Sequence, residues 1–156
     1  MVNHEFNNAI ACDPARSVIV SACAGSGKTW LLVARMVRLL LAGSKPQEIL
    51  ALTFTRKAAQ EMRDRLFKLL EEFSTCDDVT LSRHLVDRGI QEKDVRALLP
   101  EARSLYLRVL ASPKPVVIDT FHGWFGRLLG AAPVSAEVLP GFSLREDAKR
   151  LQEECM

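Results

Sequence analysis

With 156 residues, 48% of them hydrophobic and 26% charged, the chain is long enough to bury one core and too apolar to stay disordered. A net charge of +2 is too small to imply a nucleic-acid partner by itself. No stretch has the length of a membrane span, since the apolar run over residues 31–41 is broken by Arg35 and Arg38.

The elements follow in chain order. A short helix is predicted near residues 4–11, then a turn at Asp13-Pro14-Ala15. The apolar run Ser17-Val18-Ile19-Val20-Ser21 predicts a first strand over 17–22. It leads into Ala22-Cys23-Ala24-Gly25-Ser26-Gly27-Lys28-Thr29, after which an apolar helix over 28–42 stops at Gly43. Strand, glycine loop, Gly-Lys-Thr and helix, in that order, form the setting of a phosphate-binding loop. Gly25 and Gly27 allow backbone conformations, and a closeness to the ligand, that a Cβ would obstruct. The N–H groups of such a loop make a concave anion site, and the helix start adds unpaired donors and a positive dipole end. Lys28 is placed to reach the β- and γ-phosphates, and the Thr29 hydroxyl to ligate Mg²⁺. Cys23 reads as a small residue the loop tolerates, although helix N-termini also stabilise thiolates.

A second apolar run, Ile49-Leu50-Ala51-Leu52-Thr53-Phe54, predicts another strand. The helix after it covers about 56–73, with Ala59, Met62, Leu66, Leu69 and Phe73 as its apolar stripe. From residue 74 to 114 the pattern is helical, with segments near 80–88, 91–98 and 101–112 separated by Gly89 and Pro100. The third predicted strand is Pro115-Val116-Val117-Ile118-Asp119, followed by a helix over about 121–130. Residues 131–142 read as a loop, and Ser143-Leu144-Arg145-Glu146 has the form of a capping box opening a helix over 143–156. That helical pattern is still running at the last residue.

Apolar strands alternating with helices predict an α/β fold, with parallel strands and right-handed crossovers, and with ligand at the carboxyl ends of the strands. The four cysteines, Cys12, Cys23, Cys76 and Cys155, show no zinc or redox spacing. With no basic-then-apolar start, the expectation is a reduced, cytoplasmic protein.

The phosphate loop alone indicates only a nucleoside triphosphate. The segment Ile49-Leu50-Ala51-Leu52-Thr53-Phe54-Thr55-Arg56-Lys57-Ala58-Ala59-Gln60-Glu61-Met62-Arg63-Asp64-Arg65-Leu66 resembles the second signature of UvrD-like superfamily-1 DNA helicases. Val117-Ile118-Asp119-Thr120-Phe121-His122-Gly123-Trp124-Phe125 resembles a further, DNA-contacting signature of that family. Ala22, where the usual pattern has glycine, is common there too. The signatures stand in the family's order and anchor nearly the whole chain. The helical insertion between them looks closer to the RecB/AddA branch than to UvrD/Rep. The resemblance implies a P-loop NTPase (RecA-like) parallel sheet flanked by helices, the amino-terminal part of a first motor domain, with 74–114 inserted in it. It also implies ATP and Mg²⁺ as cofactors and single-stranded DNA, the remainder of a helicase chain and a nuclease or other protein as partners.

A motor on single-stranded DNA needs donors for phosphates and flat side chains on which bases stack. By the resemblance, Phe54, Thr55, Arg56, Lys57, Thr120, Phe121 and His122 line the track. Arg56 stands where the family usually has asparagine; it keeps a donor and adds charge. Simpler roles stay open: Phe54, Phe121 and Trp124 as core residues, His122 as a solvated histidine, Lys57 as a solvated face. For Arg63 the solvated face is the preferred reading. The family's adenine-reading glutamine falls near Phe6, where Asn7, Asn8 or the Phe6 ring are the groups on offer.

Asp119 presents a choice. A Val-Val-Ile-Asp strand has Walker B form, and on that reading the chain is a complete small NTPase. UvrD-like helicases, however, place glutamate directly after that aspartate, and here Thr120 follows. Phe-His-Gly-Trp matches the DNA signature better. Without a Walker B pair, an arginine finger or a second motor domain, the expectation is a part of an ATP-dependent helicase that by itself binds nucleotide weakly and hydrolyses little. A kinase or GTPase lacks its acceptor or guanine motif here, and a non-catalytic nucleic-acid-binding module remains the other class. Apolar surface left open on such a piece also predicts weak self-association.

Overall fold

A computed structural model describes residues 4–21 and 27–131. Residues 22–26, the loop expected after 131 and the helix expected from 143 lie outside them. The described elements are α1 (His4–Ala11), α2 (Lys28–Leu41), a 3₁₀ turn (Pro46–Glu48), β1 (Leu50–Thr53), α3 (Arg56–Thr75), α4 (Asp78–Asp87), α5 (Glu92–Leu110), β2 (Val117–Thr120) and α6 (Phe121–Gly130).

Apolar spacing explains the helices. Val33, Met36, Val37 and Leu40 bury one side of α2, while Leu32 on the other side is exposed. The helix stops where Gly43 takes a left-handed φ of 95° and Ser44 N–H reaches back to the Leu39 carbonyl at 3.0 Å. On α3 the whole expected stripe is buried, with Leu70 added. Leu66, Leu70, Phe73, Leu81, Leu85 and Leu105 then meet Leu40 in a core formed mainly between helices α2 to α5.

β1 and β2 pair in parallel, with Leu50 opposite Val117 and Thr53 opposite Thr120. Among the described residues these two strands are the whole sheet. The strand expected over 17–22 is therefore not found at 17–21, and Ile19 is 99% exposed there. A β-branched run suits a half-buried pleat, yet it becomes a strand only when a neighbour completes its ladder. Among the described residues none does.

The helical region after α3 departs from expectation at Pro100. The two segments predicted on either side of it are one helix, α5. An interior proline removes one hydrogen bond and crowds the preceding turn, at a cost of about 3 kcal/mol. Val95, Ala102, Leu105 and Val109 hold the helix against the core on both sides of the proline, and Pro100 itself faces solvent. Gly89 does separate α4 from α5, with a φ of 77°.

Gly89 also receives α1. A Cβ there would stand 2.3 Å from the Ala9 Cα and 2.6 Å from its nitrogen. Beside it, Asn8 Nδ2 donates to the Asp87 carbonyl at 3.0 Å, so this amide ties α1 to the end of α4. Arg35, half-buried on α2, donates to the carbonyls of Ala11 and Asp13 at 2.9 and 3.0 Å, and to that of Arg16 at 2.5 Å. One guanidinium thus fixes the path of the chain from α1 toward the phosphate loop.

Gly89→Ala is expected to lose about 2–4 kcal/mol, from a left-handed backbone plus a steric clash, whereas Gly43→Ala, with open space at its Cβ, is expected to lose about 1–2 kcal/mol. Urea denaturation of the two variants checks the order.

Candidate functional site

The parallel register brings two strand-to-helix junctions side by side. At the end of β1, Thr55 is the N-cap of α3, and its Oγ1 accepts from Ala58 N–H at 3.1 Å. At the end of β2, Thr120 is the N-cap of α6, and its Oγ1 accepts from Gly123 N–H at 3.1 Å. Each threonine satisfies one donor of its helix start. Two helix N-termini next to each other make a locally positive edge, although the chain as a whole is nearly neutral.

An aromatic ring stands at each junction. Phe54 is 85% exposed and Phe121 is 38% exposed, with ring centroids 5.4 Å apart and planes tilted by 43°. That is a favourable aromatic pair, yet most of the Phe54 surface stays in water. Phe54 thus takes no part in the core of the described residues. None of the residues of α6 is buried, so Phe121 and Trp124 take no part in the core of the described residues either. Trp124 is half-buried and meets Phe125 edge-on at 5.0 Å. Arg56, Lys57 and His122 are exposed on the same two helix starts. Thr55 is exposed, so its hydroxyl hydrogen remains available to an incoming acceptor. Thr120 is buried and acts on the edge by fixing where α6 begins.

Asp119 sits just behind this edge. Its Oδ1 accepts from Thr120 N–H at 2.7 Å, and its Oδ2 pairs with Arg127 Nη2 at 2.7 Å. A Cβ on Gly123 would stand 2.7 Å from that Oδ1, so the glycine lets α6 start against the carboxylate. Both oxygens are engaged in holding α6 to β2. Arg63 is likewise not the solvated decoration expected of it: Nη2 donates to the Ile118 carbonyl at 2.8 Å, tying α3 to β2. Arg127 and Arg63 escape a reading of the sequence because their partners lie on a strand whose register no local pattern gives.

The phosphate loop is described from Gly27 onward; Ala22, Cys23, Ala24, Gly25 and Ser26 lie outside the described residues. Gly27 is the N-cap of α2 with a left-handed φ of 79°, and among the described residues no side chain caps the helix. A left-handed glycine at a helix start is what an anion site there requires, so Gly27, Lys28 and Thr29 fit a bound phosphate. Lys28 also lines a cavity of about 300 Å³ with Val18, Val20, Leu31, Leu32 and Arg35. Among the described residues no cluster of histidine, cysteine or carboxylate side chains could hold a metal ion. A Mg²⁺ here would rest on Thr29 and on the phosphates it accompanies.

Phe54→Ala is expected to cost less than about 1 kcal/mol of stability, against the roughly 3–5 kcal/mol of a buried phenylalanine. A urea midpoint close to that of the unmodified chain checks it.

Residues 2–155 match the family described as UvrD/REP helicase N-terminal domain. The chain is similar to an ATP-dependent helicase/nuclease subunit of Lactobacillus helveticus, 28% identical over 86% of this chain and 9% of that protein. It is 44% identical to a probable DNA helicase of Mycoplasma pneumoniae over 49% of this chain and 14% of that protein. It is 40% identical to the exonuclease/helicase subunit RexA of Streptococcus pneumoniae over 46% of this chain and 6% of that protein. The matched regions thus span a small part of these relatives' length.

Proposed function

Because the chain belongs to the UvrD/REP helicase N-terminal domain family, we propose that it is the nucleotide- and DNA-contacting part of an ATP-dependent helicase or translocase used in DNA repair or recombination. ATP with Mg²⁺ sits on residues 22–29, with Lys28 on the terminal phosphates and Thr29 on the metal. Single-stranded DNA crosses the paired helix starts. Phe54 and Phe121 take the bases, while Thr55, Arg56, Lys57 and His122 take the phosphates, and Thr120 sets the α6 end of the track. The fold of the parent is a RecA-like P-loop sheet, of which β1 and β2 are two strands and α4–α5 an insertion.

The observation that carries this reading is the exposed pair Phe54 and Phe121 at the ends of two parallel strands. Water-facing rings beside two helix N-termini suit a ligand with flat apolar faces and a phosphate chain, and single-stranded nucleic acid has both. A metal-binding role for Asp119 is disfavoured by its contacts with Arg127 and Thr120. With no other Walker B pair, the 156 residues alone should turn ATP over slowly. The parent works in the cytoplasm, joined to further motor parts and to a nuclease or other partner. Among the described residues no helix is long and apolar enough to cross a membrane.

Fluorescence anisotropy with a labelled oligonucleotide, with and without Mg-ATP, tests the proposal. Phe54→Ala and Phe121→Ala are each expected to weaken binding by about 1–3 kcal/mol. Affinity is expected to fall with salt, and Lys28→Ala should abolish the nucleotide effect without loss of DNA binding. Oligonucleotide affinity indifferent to both phenylalanine substitutions would overturn the track.

A further inference from the structure

Arg88 follows α4 and is only 4% exposed. Burying a guanidinium is costly unless its charge and donors find partners. Nη1 donates to the His84 carbonyl at 2.6 Å and lies 3.3 Å from His84 Nδ1, while buried Nε has no hydrogen-bond partner. No carboxylate among the described residues pairs with Arg88. Burial accordingly pushes its pKa below the ordinary arginine range, against the opposing pull of Asp87, Cys12 and Glu72.

Two rings hold the group instead. The guanidinium carbon is 5.5 Å from the centroid of Trp30 and 5.5 Å from that of Phe73. Both distances lie within the range of cation–π attraction, which strengthens where water is excluded. The rings come from different helices. Trp30 is on α2, directly after Lys28 and Thr29, and Phe73 is on α3, whose first turn carries Arg56 and Lys57. The backbone of the same residue grips α2 again, because Arg38 Nη1 donates to the Arg88 carbonyl at 3.0 Å. Residues 30 and 38 are about 12 Å apart along the helix. Residue 88 therefore holds α2 at two points and α3 at one.

A packing contact made only of leucines would tolerate small slides between these helices. A planar cation held by two rings does not, since moving either ring uncovers a buried charge. We infer that Arg88 is a positioning residue that couples α2, which starts at the phosphate loop, to α3, which starts at the aromatic edge. The inference rests on the proposed function, with nucleotide at one helix start and single-stranded DNA at the other. A shift of α2 on nucleotide binding is then passed to α3 through the guanidinium, and the coupling works equally in the reverse direction.

The test measures oligonucleotide Kd in the full chain with and without Mg²⁺ and a non-hydrolysable ATP analogue. In the unmodified chain the nucleotide is expected to change Kd by about tenfold. In Arg88→Met each ligand alone should bind within about threefold of normal, while the nucleotide effect on Kd shrinks below about twofold. Arg88→Lys, which keeps the charge, should restore part of the effect. Phe73→Leu, remote in sequence from both helix starts, should reduce it as Arg88→Met does, and decides the matter if Arg88→Met does not fold. An Arg88→Met or Phe73→Leu chain that melts earlier yet keeps the full nucleotide effect would overturn the inference and leave the proposed function standing. So would an unmodified chain that binds both ligands independently. An unmodified chain that binds neither would overturn the proposed function, and the inference with it.

Discussion

The placing of Thr53 opposite Thr120 in a parallel ladder is the constraint on which the candidate site depends. It puts two strand ends at the same height, so the helices that follow begin side by side. Shifting the register by one residue would turn every side chain of one strand to the other face. The two threonine caps would then no longer sit next to each other, and Phe54 would lose Phe121. The nearness of the two helix starts and the tilted ring pair both follow from that alignment.

Arginine does much of the work of keeping the alignment. Arg63 ties α3 to the Ile118 carbonyl, and Arg127 ties α6 to Asp119. Arg35 ties the segment after α1 to α2, and Arg103 joins the Cys76 carbonyl at the end of α3 to Asp78 at the start of α4. A forked, permanently charged donor set can satisfy several carbonyls at once, which lysine cannot do. In a protein of small net charge, these cations serve as internal fasteners more than as a field for attracting polyanions.

Helices were the most legible elements in the sequence, because their apolar stripes repeat over many turns. The stripe of α3 and the stop of α2 at Gly43 could both be read directly. At Pro100 the local cost predicts a break, and the core contacts on either side of it outweigh that cost. Val18-Ile19-Val20 is the opposite case: its composition suits a strand, but pairing is a property of neighbours. At the candidate site, the two junctions and their aromatic residues were legible as motifs. That Phe54 and Phe121 touch depends on a register between residues 67 positions apart in the chain. Separations of 55 and 50 residues likewise hid the Ile118 partner of Arg63 and the Arg38 partner of Arg88.

A helix that begins on a left-handed Gly27 has the geometry of an anion site at its first turn. Folding of α2 and occupancy of its first turn are then linked by mass action, since a ligand that binds only the folded chain draws the equilibrium toward it. On the proposed reading, the thermal midpoint of this protein would rise with the concentration of the polyphosphate that binds it.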